Sequence, residues 1–437
     1  MGNSAVGARE LAAATPATRD RYVDLLRVAS LGVVVLGHWL MAAVSADGSV
    51  GNLLAVVPEL QVVTWVLQVM PVFFFVGGFS HALAYRSRPA YAAFLRARLQ
   101  RLLRPTMVFV GVWGSAALVI QLFGADGGLT GVALRLVTQP LWFIGIYLAM
   151  VAFTPPLLKL HERWGWGAFA ALAGGAVAVD VLRFAFDVPF VEFLNFAFVW
   201  LAVHQLGFLR ADGMIRLPGV LAVGGLLGAG LLVALGPYPL SMVGMPGEKV
   251  SNMAPPTLAL LAHGLWLVGA VELLKGPGAR FAARAGVWHK VVAANGIAMT
   301  AFLWHLTAML GVYGTFLALD VALPAPATGA WWAQVPLRIA AAAALTGLLV
   351  AAFRRFERPA AHRPPAGSAP LAALGVTLAL FGILGLSMTG FGGLLEGHAA
   401  TLVAVRVTAP ASIAMALVGW LLVERAGRAR IPGQRSR

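Results

Sequence analysis

Long apolar stretches, separated by short polar segments, run through almost the whole chain. Each stretch is about 20 residues long, which is the length of helix needed to cross the hydrocarbon core of a bilayer. Twelve spans are predicted, near residues 25–45, 58–84, 105–123, 138–158, 167–186, 190–209, 217–236, 256–274, 293–318, 334–353, 370–390 and 401–423. The pattern therefore predicts an all-α fold, a polytopic transmembrane helix bundle of about 12 spans.

The composition agrees with this pattern. Of 437 residues, 60% are hydrophobic and only 11% are charged, whereas soluble proteins carry about 25% charged residues. Cysteine is absent, which excludes disulfides, zinc–thiolate sites and cysteine nucleophiles. The formal net charge of +15 would suit a nucleic-acid partner, but in a membrane protein the position of the basic residues decides what the charge means.

Basic residues fall almost entirely in alternate loops. If the N-terminus is cytoplasmic, all but five of the 32 Lys and Arg residues lie on the cytoplasmic side; the five are Arg135, Arg183, Lys249, Arg338 and Arg406. This asymmetry follows the positive-inside rule. It predicts cytoplasmic N- and C-termini, a multi-pass protein of the cell membrane with the lipid bilayer as partner, and no nucleic acid. The richness in Ala, Gly and Arg suggests a bacterial source.

Three ionisable residues lie at or within the start of the first span: Asp24, Arg27 and His38. At 100° per residue, Arg27 and His38 are separated by about three full turns, and Asp24 and His38 by nearly four. All three therefore share one face of one helix, with His38 roughly 16 Å deeper than Arg27. Ionisable groups in a membrane are costly and usually mark a functional path. Histidine accepts and returns a proton near neutral pH, so His38 is the candidate general base.

Arg98, Arg101 and Arg104 recur every three residues, so they lie on neighbouring turns of one helix face. Simple positive-inside anchoring explains them about as well as a binding role does. In the binding role, their guanidinium groups hold the phosphates of an anionic cytosolic ligand such as coenzyme A. The segment 86–104 that carries them is predicted to be an amphipathic helix on the membrane surface, with Pro105 opening the next span.

Further polar and aromatic residues are candidates for substrate binding. His305 falls in the middle of a span, and Trp142 lies at the outer end of another; Glu192 and Asn195 are three residues apart near an outer helix start. A helix–helix hydrogen bond for His305, an aromatic belt for Trp142 and rim solvation for the other two remain alternatives. No HxH or HExxH spacing occurs, so no metal site is expected. Gly77 and Gly78 are expected to allow a close approach of two helices.

The chain is expected to contain four regions. They are a disordered cytoplasmic tail at 1–18, a membrane domain at 19–358, a segment at 359–425 comprising a Pro/Gly/Ala linker and two additional transmembrane helices, and a basic cytoplasmic tail at 426–437. The outer loop 237–255 is rich in Gly, Pro and Met and is longer than a tight turn requires. It is expected to cap a site.

Several motifs, in order, resemble the membrane acyltransferase-3 family. The opening segment with Asp24, Arg27 and His38 resembles the first helix of that family. The run from Phe73 to Ser80 resembles its phenylalanine-rich motif, and further matches are Phe94–Pro105, Leu141–Tyr147 and Leu303–His305. The resemblance covers about residues 19–356. The chain departs from the family pattern at Gly77, where serine usually precedes the glycine, and at Trp304, where tyrosine is common.

The resemblance implies a ten-helix acyltransferase core and transfer of an acyl group, acetyl or another short chain, from acyl-CoA to a hydroxyl. The acceptor would be a sugar, a cell-envelope glycan or a secondary metabolite, and no permanently bound cofactor is expected. His38 would be the catalytic histidine, assisted by Arg27 and Asp24, with Arg98, Arg101 and Arg104 holding coenzyme A. The rival hypothesis is a multi-spanning transporter of a small polar or lipid-linked molecule, whose mark would be pseudo-symmetry between two halves. The two halves of this sequence show none.

Overall fold

A computed structural model describes residues 7–16, 18–45, 48–87, 89–124, 127–245, 247–357, 368–402 and 405–426. The chain divides into two compact units. Unit 1 comprises residues 1–41, 52–79 and 165–298, and unit 2 comprises residues 42–51, 80–164 and 299–437. Both are built mainly of helices, which confirms the predicted all-α class.

The helices of the described chain are α1 (Ala8–Ala13), α2 (Arg21–Met41), α3 (Leu53–Val56), α4 (Thr64–Leu67), α5 (Met70–Ser87), α6 (Tyr91–Leu122), α7 (Gly128–Leu136), α8 (Gln139–Trp164), α9 (Trp166–Phe186), α10 (Asn195–Ala211), α11 (Pro218–Leu235), α12 (Leu258–Leu273), α13 (Lys275–Ala283), α14 (Ala285–Asn295), α15 (Ala298–Ala318), α16 (Gly329–Phe353), α17 (Ala369–Thr389) and α18 (Ala409–Ala426). The strands are β1 (Ala42–Val44), β2 (Val50–Asn52), β3 (Ala399–Leu402) and β4 (Val405–Thr408). The first two pair with each other, and β3 pairs antiparallel with β4.

Eleven helical segments of the described chain are long and apolar enough to cross a membrane. A twelfth arises if α12 and α13, which meet at a bend of 58°, form one span. Each predicted span overlaps one of these segments, and the span predicted near 256–274 is the bent pair. The membrane-spanning character is therefore confirmed, while the count of twelve and the side of the termini remain predictions.

Glycines set the closest helix contacts in unit 1. A Cβ atom on Gly78 of α5 would lie 2.0 Å from the carbonyl oxygen of His204 on α10, and one on Gly207 would lie 2.2 Å from that of Phe75. The expected close approach at Gly78 is thus confirmed. Gly225 of α11 meets the backbone of α12 in the same way, 2.3 Å from the amide nitrogen of Trp266.

The segment predicted to be a separate surface helix is instead part of α6. This helix runs for 32 residues without interruption, with Pro105 inside it. A proline inside a helix removes one backbone hydrogen bond, and the hydroxyl of Thr106 donates to the carbonyl oxygen of Leu102 at 2.7 Å. Because the helix continues, the arginines and the apolar span after them form one rigid element.

The last two helices pack within unit 2. Helix α17 packs on α8 and on α18, and α18 also packs on α6. Small residues allow this, since a Cβ on Gly382 would lie 2.3 Å from the amide nitrogen of Ala416. The two additional helices are therefore joined to the helices that carry the arginines, rather than forming a separate body.

Part of the tail predicted to be disordered is helical. Residues 8–13 form α1, which packs on α14, with Ala12 buried against Trp288 and Val291. The indole of Trp288 also donates to the hydroxyl of Thr15 at 3.1 Å. Apolar burial overrides the polar composition here. The first six residues, residues 358–367 of the predicted linker and the tail from residue 427 lie outside the described residues.

Candidate functional site

Helix α2 carries all three ionisable residues of the predicted stripe. It begins after Asp20, whose Oδ1 accepts the backbone amides of Tyr22 and Val23 at 3.0 and 3.1 Å. An aspartate in this position satisfies amides that have no partner inside the helix. The helix then continues to Met41 without a proline, so the expected separation of Arg27 and His38, about three turns along one face, holds.

The carboxylate of Asp24 contacts two arginines. Its buried carboxylate accepts from Nε and Nη2 of Arg19 at 2.6 and 3.0 Å, a two-pronged contact, and lies 3.6 Å from Nη1 of Arg27. The hydrogen bond to Asp24 raises the pKa of Arg19. The pairing holds the side chains of Arg19 and Asp24 together and places Arg27 beside the same carboxylate. The geometry is that of a residue that orients Arg27.

His38 is half-buried and anchored to its own helix. Its Nδ1 lies 2.8 Å from the carbonyl oxygen of Val34. A carbonyl oxygen only accepts hydrogen bonds, so Nδ1 carries the proton of the neutral ring. The lone pair therefore lies on Nε2, which is the nitrogen able to take a proton from another group.

An arginine that the sequence did not single out holds the start of α2. Arg210 of α10 donates from Nη2 to Oδ2 of Asp20 at 2.8 Å and from Nη1 to Glu272 of α12. Its side chain is 3% exposed, and its guanidinium lies 5.2 Å from the ring centre of Phe79. Two carboxylates thus compensate one buried cation. The partners are 190 and 62 residues away, and no local pattern in the sequence reveals such pairing.

In unit 2, the three predicted phosphate-binding arginines lie on α6. Arg98 donates from Nη2 to the carbonyl oxygen of Ser80 at 3.3 Å. Arg101 is exposed and interacts electrostatically with Glu357, and Arg104 is half-buried. The three arginines therefore lie on one helix, as predicted, and Arg101 interacts with the carboxylate of Glu357.

Glu357 itself covers a helix end. Its carboxylate accepts the backbone amides of Met299 and Thr300 at 3.1 and 3.0 Å and the Thr300 hydroxyl at 2.7 Å. These groups lie in the first turn of α15, where amides lack partners within the helix and the helix dipole favours a negative charge. Helix α15 is the one that carries His305, so Glu357 fixes its start.

Aromatic contacts connect Trp142 to His305 within unit 2. Trp142, half-buried, lies edge-on to Phe143, which packs at 4.8 Å on Phe302. Phe302 in turn packs on the ring of His305 and accepts a hydrogen bond from His305 Nδ1 through its carbonyl oxygen. His305 is fully buried. The two predicted substrate residues therefore belong to one packed row.

His81 and Tyr147 form a further polar pair in the same unit. Nε2 of His81 lies 2.9 Å from the hydroxyl of Tyr147, and the rings pack edge-on. In the sequence, His81 directly follows the phenylalanine-rich run Phe73–Ser80, and Tyr147 ends the Leu141–Tyr147 segment. Their pairing could not be foreseen because 66 residues separate them.

In unit 1, Asn195 is drawn into a network around Asp180. Asn195 is fully buried and donates from Nδ2 to Oδ1 of Asp180 at 2.8 Å. Oδ2 of Asp180 accepts from the hydroxyl of Tyr238 at 2.9 Å and from the amide of Leu258 at 2.8 Å. Burial, together with the charge of Asp180, raises the pKa of Tyr238, so its phenol stays protonated and donates. Glu192 is half-buried.

A cavity of about 440 Å³ lies beside this network. Asp180 and Tyr238 supply its polar groups, and Val177, Val181 and Phe184 are among its apolar walls. The loop 237–255 contributes Pro237 and Tyr238 to it. In the sequence, Asp180 lies within the span predicted near residues 167–186.

The fold defines a class of protein, a multi-spanning membrane protein, in which the apolar helix α2 carries His38. The family model Acyl_transf_3, described as an acyltransferase domain, matches residues 20–354. This chain therefore belongs to the acyltransferase-3 family and is a membrane acyltransferase. The match agrees with the coverage expected from the motifs and leaves out α17 and α18. No curated protein and no solved structure matches the chain.

Proposed function

We propose that this enzyme transfers an acyl group, acetyl or another short chain, from acyl-CoA to a hydroxyl of a sugar, a cell-envelope glycan or a secondary metabolite. The reaction takes place in a bacterial cell membrane, with the donor arriving from the cytoplasm. The single observation that carries the proposal is the hydrogen bond from His38 Nδ1 to Val34, which places the proton of the neutral ring on Nδ1 and its basic lone pair on Nε2. Family membership supports acyl transfer as the reaction class.

In the proposed reaction, Nε2 of His38 accepts the proton of the acceptor hydroxyl as its oxygen attacks the thioester carbonyl. The carbon–sulfur bond of the tetrahedral intermediate then breaks. The proton held by His38 passes to the departing coenzyme A sulfur, so the histidine returns to its neutral form. Arg27, oriented by Asp24, is the candidate for stabilising negative charge in the intermediate.

The donor is proposed to bind along α6. Arg98, Arg101 and Arg104 supply three guanidinium groups on neighbouring turns, and arginine forks suit phosphate oxygens. The exposed position of Arg101 supports contact with a soluble ligand. A phosphate of coenzyme A arriving there would compete with Glu357 for Arg101.

The acceptor side is proposed to use the four remaining candidates. His305 and Trp142 belong to the aromatic row of unit 2. Asn195 offers an amide oxygen, Oδ1, with no hydrogen-bond donor among the described residues, and Glu192 is half-buried nearby along the chain. Hydroxyl-rich acceptors suit such groups because they can both donate and accept.

The purified protein in lipid nanodiscs gives a direct test of His38. Because the chain has no cysteine, a thiol reagent does not react with the enzyme itself. The coenzyme A released from acetyl-CoA in the presence of a cell-envelope extract is read after subtracting the thiols of the extract, measured in a reaction without the enzyme. His38→Gln is expected to lower kcat by about 10²–10⁴-fold, the usual contribution of a general base. His398→Ala, at an exposed histidine outside the matched domain, serves as the matched control. Full activity of the His38→Gln enzyme would refute the assignment.

The donor-binding arginines are tested by comparing two acetyl thioesters. Acetyl-CoA carries phosphates, whereas S-acetylpantetheine lacks them. Arg101→Gln and Arg104→Gln are expected to raise KM for acetyl-CoA about tenfold or more, the loss expected for one charge-assisted hydrogen bond, and to leave KM for S-acetylpantetheine unchanged. Equal effects on both donors would contradict a phosphate contact.

The acceptor is identified by mass spectrometry of envelope and secreted metabolites from cells with and without the gene. Products that are heavier by one acyl group in the cells with the protein name the acceptor and the acyl chain together. Cells that carry the His38→Gln enzyme are expected to match the cells without the gene.

A further inference from the structure

Arg338 lies deep in an apolar helix of unit 2. It is the tenth residue of α16, which begins at Gly329 and is among the candidate membrane spans, so it lies about 14 Å along the helix from that end. Only 6% of the residue is exposed. An ionisable residue at such depth is costly and is commonly found where a ligand or ion binds.

The contacts of Arg338 come from neutral groups. Nη1 donates to the hydroxyl of Tyr313 at 3.0 Å, and Nη2 donates to the carbonyl oxygen of Trp331 at 2.7 Å. The guanidinium lies 4.3 Å from the ring centre of Trp331. The Tyr313 hydroxyl in turn donates to the carbonyl oxygen of Ala42 at 3.2 Å. These contacts fix the guanidinium group in position without neutralising it.

The edge of the guanidinium is incompletely bonded. Nε of Arg338 is buried and has no hydrogen-bond acceptor within the part of the chain that the structure describes. The described residues also supply no carboxylate within ion-pair distance of Arg338, in contrast to Arg210. A buried cation without a counter-charge carries most of its desolvation cost uncompensated. A negatively charged ligand would remove that cost.

We propose that Arg338 is the centre of a binding site for an anionic group, a phosphate, held within unit 2 by the guanidinium and the indole of Trp331. Arginine binds such oxygens through two parallel N–H groups, and the Nε–H side is the edge that remains for this contact. Tyr313 and Trp331 hold the rest of the guanidinium, so little freedom is lost when the anion binds. The site is separate from the candidate donor-binding arginines on α6. Arg338 is 16 residues before Arg354, about 24 Å along the helix from the end of α16 that packs by α6.

The experiment measures anion-induced stabilisation of the full-length protein in a neutral detergent. Melting temperatures are recorded with dioleoylphosphatidic acid, with inorganic phosphate, and with dioleoylphosphatidylcholine as the zwitterionic control. A ligand that binds only the folded state stabilises it by RT ln(1 + L/Kd), where L is the free ligand concentration, so the melting temperature rises with the ligand concentration relative to its Kd. A rise with both phosphate probes, or with phosphatidic acid alone, is expected, and the second result identifies a lipid headgroup as the source. No activity measurement is needed, so the test is independent of the proposed reaction.

Variants are needed to assign the effect to Arg338, since the arginines of α6 are also proposed to bind phosphate. Arg338→Met is expected to show a smaller anion-induced rise in melting temperature than the wild type. Arg135→Gln, at an exposed arginine of the same unit, is expected to show the full rise. If Arg338→Met does not fold, Arg338→Lys retains the charge but lacks the planar fork, and at least tenfold more phosphatidic acid is expected to be needed for the same shift. Native mass spectrometry checks that the variants carry one fewer tightly bound phosphatidic acid.

One result would overturn the proposal: an anion-induced shift that is the same in the wild type, Arg338→Met and Arg338→Lys.

Discussion

Two arginines in apolar helices are buried to nearly the same extent but have different contact partners. Arg210 of unit 1 is 7% exposed and Arg338 of unit 2 is 6% exposed, and each lies over aromatic rings. Arg210 contacts the carboxylates of Asp20 and Glu272. Arg338 contacts a phenol and a backbone carbonyl. One charge is compensated within the described chain and the other is not.

The difference separates a structural role from a binding role. Arg210 joins the residue that caps α2 to α10 and α12, so it holds in place the helix that carries His38. Removing one member of such a group leaves the others charged and buried, which costs far more than the pair itself contributes. Among the residues that the structure describes, Arg338 has no carboxylate that its removal would strand. The proposed anion explains why such a charge is kept in an apolar helix.

The largest effect is expected from Arg210→Met. The carboxylates of Asp20 and Glu272 would lose their shared cation, and the expected cost is about 3–5 kcal/mol of unfolding free energy. The loss is expected as a much lower melting temperature in detergent or as protein that fails to accumulate in the membrane. Activity would fall together with the folded fraction.

Arg216→Met is the matched control for that change. Arg216 is also a basic residue near the end of α10, but it is exposed, so its removal is expected to change the melting temperature little. The double variant Arg210→Met with Glu272→Gln should recover part of the stability, since one stranded charge is gone. A double variant as unstable as Arg210→Met alone would show that packing on Phe79, and not charge compensation, dominates at this site.

The sequence predicted the parts of this comparison that depend on local pattern. Spans of about 20 apolar residues are visible in the chain itself, and the positions of Asp24, Arg27 and His38 on one face follow from helical periodicity alone. The pairing of Arg210 with Asp20 depends on residues 190 positions apart, and the contacts of Asp180 with Asn195, Tyr238 and Leu258 are also tertiary. Contacts between residues so far apart produce no periodic pattern in the sequence.

Two predictions made from local sequence patterns were wrong. Arginines alternating with apolar residues before Pro105 suggested a surface helix, yet α6 continues through the proline because only one hydrogen bond is lost there. Polar composition suggested a disordered tail where α1 packs on α14. Arg338 was visible only as one of five basic residues assigned to the outer side; its burial required the structure.

A smaller effect is expected from Tyr313→Phe. The phenol accepts from Arg338 and donates to the carbonyl oxygen of Ala42, so its loss leaves two buried groups without a partner. The expected cost is about 1–3 kcal/mol, measured as a lower melting temperature without added anion. Tyr85→Phe is the control, because the Tyr85 hydroxyl makes no hydrogen bond among the described residues.

The smallest effect is expected from Arg338→Met without added anion. Methionine has a similar length and no charge, and replacing a buried ionic group with an apolar one is often neutral or stabilising. The unfolding free energy is therefore expected to change by about 1 kcal/mol or less, several-fold less than in Arg210→Met. The comparison requires protein from which co-purified anionic lipid has been removed, since a bound anion would make the wild type more stable than the variant. If the delipidated variants at Arg210 and Arg338 lose the same stability, then Arg338 is compensated within the chain, and the contrast between the two arginines fails.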